Sequence, residues 1–158
     1  MQEIITLNGK KYVEYIEPEK KEYKRWRAEK WEYYYRIKND GSIDDIQEEL
    51  DNIDYWVYNI GNYYQTEEEA TKERYKRLAI VRVNDAILSL NEWWKEEWNN
   101  RGQEKWCIMY NNDKKLFESG FNTYMIEWNL LYRIKSEEIA DKIIKEHQEY
   151  LKLIFWVE

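Results

Sequence analysis

Two short segments constrain the fold more than anything else in this chain. Thr66-Glu-Glu-Glu-Ala70 and Ser136-Glu-Glu-Ile-Ala140 each set a hydroxyl side chain ahead of acidic residues and a helical run of apolar residues. A hydroxyl at that place accepts a hydrogen bond from the first free backbone N–H groups of a helix, and carboxylates favour the positive end of its dipole. Glu69, three residues after Thr66, completes the pattern of a capping box. An aromatic, β-prone stretch precedes each start, Tyr55 to Tyr64 in one case and Leu130 to Ile134 in the other. The chain therefore reads as two units in which strands feed a capped amphipathic helix.

In the first unit, Trp31 to Ile37 predicts a strand, Asn39-Asp40-Gly41 a turn and Ser42-Ile43-Asp44 the return. Tyr55 to Tyr64 predicts a further strand, broken at Gly61. A helix is expected from Glu67 to about Leu90, with a stripe of Ala79, Val83, Ala86, Ile87 and Leu90. Ile80, Val81 and Leu88 widen that stripe, so its second half is expected to be well buried. In the second unit, Lys105 to Tyr110, Leu116-Phe117, an alternating Asn122 to Trp128 and Leu130 to Ile134 read as strands. The helix after Ser136 presents Ile139, Ala140, Ile143, Ile144, His147, Tyr150 and Leu151, and the apolar tail Leu153 to Val157 is expected to pack back on the sheet. Aligning the units pairs Trp31 with Trp106, Tyr35 with Tyr110 and Thr66 with Ser136. One such unit buries little alone, whereas two can share a core. The expectation is an α+β fold: two similar β-rich units, antiparallel strands followed by one helix, packed into a single domain. Its parts are an N-terminal arm (1–24) holding an Asn8-Gly9 turn, a first unit (25–91), a Trp-rich linker (92–104) and a second unit (105–158).

Composition narrows function. Nine Trp, fifteen Tyr and three Phe make the chain 17% aromatic, and such side chains serve both small cores and binding surfaces. A net charge of −7 disfavours general binding to a nucleic-acid backbone while leaving room for a local basic patch. The single Cys107 excludes an internal disulfide and fits a reducing compartment; its place between Trp106 and Ile108 reads as packing. The Met-Gln-Glu start lacks a signal-peptide pattern and no apolar run reaches the length of a membrane span, so the expected location is the cytoplasm of a bacterial host.

Three stretches are candidates for a binding surface. Arg25-Trp26-Arg27 sets an aromatic face between two guanidiniums, fit to stack a base and hold phosphate, to dock an acidic surface including the protein's own, or simply to lead into a strand in solvent. The acidic run from Asp40 to Asp54, with Asp44, Asp45, Glu48 and Glu49, does not match a calcium loop, because Gly41 falls too early. It reads as a solvated loop or as a surface imitating nucleic-acid phosphates. Trp93, Trp94 and Trp98 crowd a linker, where they either cover a gap between the halves or form an interaction surface.

Chemistry is harder to place. The one histidine, His147, sits on an apolar helix face and reads as packing, nothing supports its pairing with the one cysteine as base and nucleophile, and the five glycines are scattered rather than gathered in a phosphate loop. No metal-ligand set stands out, and nothing in the carboxylate runs sets one pKa against another. No cofactor is expected, and a protein that works by binding is favoured over an enzyme.

Several segments in order resemble small accessory proteins encoded by phages and prophages of Gram-positive bacteria: Trp26-Arg-Ala28, Tyr33-Tyr-Tyr35, Tyr58 to Ala70, Leu90-Asn-Glu-Trp93, Lys105 to Tyr110 and Ile134 to Ala140. The resemblance covers roughly residues 25 to 155, with Lys30-Trp31 and Trp94 departing from it, and brings no functional residues with it. It implies an anti-defence role: a protein that inhibits a bacterial immune system by binding a host protein, in the manner of anti-CRISPR inhibitors. The alternatives are a sponge for a nucleotide immune signal and a nucleic-acid-binding or structural phage protein. The implied partners are a host defence protein or a nucleotide ligand, with a homodimer compatible with the Trp-rich linker and the apolar C-terminus, no membrane, and nucleic acid left open.

Overall fold

The structure, a computed structural model, describes residues 4–7, 10–13, 25–97, 99–122 and 131–157. The Asn8-Gly9 turn, Trp98, the alternating stretch after Asn122 up to Trp128 and Leu130 lie outside the described residues; of the strand expected over Leu130 to Ile134, the described part forms only a single bridge at Ile134. The fold is α+β, with three two-stranded antiparallel sheets and four helices among the described residues. Strands β1 (Ile4–Leu7) and β2 (Lys10–Val13) form a hairpin in the N-terminal arm, Ile4 opposite Val13.

Strands β3 (Tyr33–Ile37) and β4 (Ile43–Gln47) form the second hairpin, with Tyr34 opposite Ile46 and Arg36 opposite Asp44. Its turn uses Gly41 at φ +82°, a conformation that costs a residue with a Cβ. Asp40 accepts from both the backbone N–H and the hydroxyl of Ser42.

The next element corrects the sequence reading. Most of Tyr55 to Tyr64 is not a strand: helix α1 spans Asn52–Asn59. Asp51 caps it, accepting from the N–H groups of Ile53 and Asp54 at 2.8 and 2.9 Å, while the Asp54 carboxylate accepts in return from Asp51 N–H at 3.3 Å. Two aspartates thus build a capping box, and this local gain overrides the β preference of Tyr55, Trp56 and Val57. Gly61, at φ +78°, turns the chain after the helix. Only Tyr64 remains of the expected strand, bridging Tyr35 through two backbone bonds of 2.9 Å.

Helix α2 (Glu67–Asn91) starts where expected, Thr66 accepting from Glu69 N–H at 3.2 Å. The Glu69 carboxylate reaches back one residue further than a capping box would take it, accepting from Gln65 N–H at 2.9 Å. Strands β5 (Lys105–Asn111) and β6 (Leu116–Asn122) form the third hairpin, and Trp106 bridges Ile134. Both bridged residues, Tyr64 and Ile134, stand two positions before a helix cap. The bridges fall at Tyr35 and Trp106, whereas Trp31, aligned with Trp106 in the sequence, lies before β3 at φ +76°. The expected last helix is two, α3 (Glu137–Glu146) and α4 (Gln148–Phe155), joined at His147, whose φ of −123° leaves the helical region. The C-terminal residues to Phe155 are therefore helical, with Ile154 buried and Phe155 packed edge-on to Phe117 of β6 at 5.5 Å.

The main core joins Ala79, Val83 and Ile87 of α2 to Ile108, Phe117, Ile134, Ile143, Leu151 and Ile154. The C-terminal half of α2 thus completes the second unit. A separate small core holds Ala28, Tyr34, Val57 and Tyr63. One face of α2 is not buried: Val81 and Leu88, expected to widen the stripe, point to solvent with Leu78.

Candidate functional site

The small core of the first unit is built around two carboxylates. Glu48, fully buried, pairs with Arg27 at 2.7 Å, accepts from Tyr63 O–H at 2.6 Å and from Leu50 N–H at 3.2 Å. Asp54, also buried, accepts from Tyr34 O–H at 2.9 Å and from Glu49 N–H at 2.8 Å. Tyr34 and Tyr63 stack at 3.9 Å between the two acids. Burial alone would raise the Asp54 pKa, but the N–H bonds from the Glu49–Asp51 backbone and the Tyr34 hydroxyl outweigh it and hold it below the usual carboxylate value. Burial, reinforced by the acceptor carboxylates, raises both tyrosines above their ordinary value. The bond to Glu48 raises Arg27.

The sequence candidates divide accordingly. Arg25, Trp26, Arg27 and Glu48 come together, with the basic segment docked on the protein's own acidic residue. Arg27 lies over the Tyr55 ring at 4.0 Å; Arg25 lies over the Tyr58 ring at 4.0 Å and donates to the Tyr58 carbonyl. Trp26 packs on Tyr63 at 5.7 Å between centroids. The acidic run is not a solvated loop: Glu48 and Asp54 are interior, Asp51 is a cap and Asp44 pairs with Arg36 across the hairpin at 3.2 Å. Asp45 and Glu49 alone of its four named candidates stay exposed, so an evenly spaced array of carboxylates imitating phosphates is not formed. Trp93 and Trp94 do not join this cluster. They follow the far end of α2, a helix of 25 residues and so about 37 Å long. Trp93 is 95% exposed and covers no gap, whereas Trp94 is half-buried beside Leu88 and Tyr132.

Sequence reasoning missed the residues that this scaffold presents. With Asp54 and Val57 turned inward, α1 and its C-cap residue show Ile53, Trp56 and Ile60 to solvent, 58, 64 and 54% exposed. Leu50, just before the Asp51 cap, is exposed as well. Beside α1, an open groove of about 490 Å³ runs between Trp56 and Ile60 on one side and Arg36, Lys38 and Asn39 at the hairpin end on the other. The Asp51-x-x-Asp54 pair was the available signal: read as a cap, it places Ile53, Trp56 and Ile60 at helical spacing.

Chemically, the buried acids are saturated with donors from their own chain, which suits fixing a surface rather than moving protons. Among the described residues no group of three or more His, Cys, Asp or Glu side chains gathers as a metal site, and no helix is long and apolar enough to cross a membrane. Compared with known proteins, the chain matches no family model, no curated protein and no solved structure.

Proposed function

We propose that this protein is a non-catalytic inhibitor that binds a host protein through α1, of the anti-defence kind implied by its resemblance to phage accessory proteins. One observation carries the binding reading: Ile53, Trp56 and Ile60 show an apolar stripe to solvent on a short helix that is held to the small core by Asp54 and Val57 beside that stripe and by Arg27 over the Tyr55 and Tyr58 rings. A rigid helix presenting a central Trp between aliphatic residues has the make-up of an interface hot spot, since little conformational entropy remains to be lost on binding. The resemblance supplies the biological setting. The test is capture of a defence component from host lysate together with rescue of phage growth. Trp56→Ala should abolish both while leaving the far-UV CD spectrum unchanged, because a hot-spot Trp carries about 2 kcal/mol or more, roughly a 30-fold loss of affinity. Capture of no defence component by the wild type, with no effect on phage growth, would reject the reading.

A second reading, a sponge for a nucleotide signal, is favoured by the groove itself, which Trp56 and Lys38 line together with Asp40 and with Arg36, already paired with Asp44. An indole can stack a base and the cations can hold phosphate. Tryptophan fluorescence with cyclic and linear nucleotides decides between the two: quenching that Trp56→Ala removes supports the sponge, and an unchanged spectrum at high micromolar nucleotide excludes it.

A further inference from the structure

Helix α2 carries a second apolar line that neither core uses. Leu78, Val81 and Leu88 are each more than half exposed, on the side opposite the buried Ala79, Val83 and Ile87. With Asp85 they follow a three-four-three spacing, that of a coiled-coil seam. Asp85 has no ion pair among the described residues. Arg74, one turn before Leu78, has no carboxylate partner either: it reaches the Gly41 carbonyl at 3.4 Å, lies beside the Tyr75 ring, and its Nε is buried without an acceptor. The seam thus holds one acid and one base, unpaired with each other because they stand three turns apart.

We propose that this face pairs antiparallel with the same face of a second copy of the chain. A twofold interface must complement itself, each contact occurring twice. The positions in α2 meet that demand about a single axis. The midpoint between Leu78 and Val81 is also the midpoint between Arg74 and Asp85, and between Thr71 and Leu88. An axis through that point therefore sets Leu78 on the partner's Val81, Arg74 on the partner's Asp85 and Thr71 on the partner's Leu88, all twice. Apolar contacts fall at the centre and opposite charges outside them. The seam is about 26 Å long, which places the dimer among small, concentration-dependent interfaces. α1 and its groove lie outside the seam, so the pairing is independent of the α1 binding reading.

Sedimentation velocity of the full chain over a concentration series tests the pairing. The wild type should shift from monomer to dimer as concentration rises. Leu78→Glu, at a solvent-facing position, should leave a folded monomer. Asp85→Arg should weaken the dimer at least tenfold by facing Arg74 with a like charge, and the double variant Arg74→Asp/Asp85→Arg, folded by CD, should recover it. A wild type that stays monomeric to its solubility limit overturns the proposal. So does a dimer indifferent to Leu78→Glu and Asp85→Arg. Failure of a folded double variant to recover overturns this register.

Discussion

Glu48 shows how a single residue decides the character of the first unit. A fully buried carboxylate is tolerated only when donors replace its lost water, and Arg27, Tyr63 and the Leu50 N–H do so. The partners are unequal, because the Arg27 side chain keeps about a fifth of its surface in solvent while Glu48 keeps none. Removing the arginine should therefore cost more than neutralising the acid. Arg27→Ala leaves an uncompensated buried charge and is expected to destabilise by about 3 kcal/mol. Glu48→Gln, which still accepts from Tyr63, should cost about 1 kcal/mol. Urea midpoints at constant m-value measure the difference, and equal losses would contradict this account. The tyrosines that bond the two acids give a second expectation. Tyr34 and Tyr63 keep their protons in the folded state beyond the ordinary tyrosine value of about 10. The unfolded chain loses those protons first, so the stability they contribute is complete below that pH and declines as pH rises above it. Absorbance at the tyrosinate band should show a fraction of the tyrosines titrating late, in step with the loss of secondary structure by CD.

At the scale of elements, α1 turns a local rule into a surface. Asp51→Ala removes the cap, at a cost of about 1 kcal/mol. It should weaken capture of the partner alongside, because the helix that carries Trp56 frays from its start. Hydrogen exchange should localise the change to Ile53 and Asp54, whose N–H groups lose their acceptor; uniform loosening would speak against a local cap. The same helix marks the limit of what could be read from sequence. Thr66 and Ser136 were legible as caps because a hydroxyl followed by acids has few other uses at a helix start, and both accept the expected N–H. Gly41 was legible because a positive φ in a two-strand turn favours glycine. α1 was not, since Tyr55, Trp56, Val57 and Tyr58 are all strand-prone and the eight-residue helix is too short for periodicity to speak above propensity. Glu48 was unreadable for a different reason. Nothing local distinguishes it from Glu49, and its burial depends on Arg27 and Tyr63, which are distant in sequence.

The whole molecule is held together by α2, which begins beside the first hairpin and ends in the core of the second unit. The expectation that each unit carries its own helix is therefore incomplete: Ala79, Val83 and Ile87 are fully buried against residues of α3, α4 and the third hairpin. The first unit, left with Ala28, Tyr34, Val57 and Tyr63, has too small a core to be stable on its own. Its order has to come through the helix that it shares. A cavity in the larger core should consequently be felt in the smaller one. Ile87→Ala removes a fully buried side chain and should cost about 3 kcal/mol. If α2 couples the two cores, that loss appears equally in hydrogen exchange at Tyr34 and Asp54 of the first unit and at Ile108 of the second, and unfolding stays a single transition. Loss of protection at Ile108 with Tyr34 unchanged would mean that the units unfold separately and that α2 breaks between them.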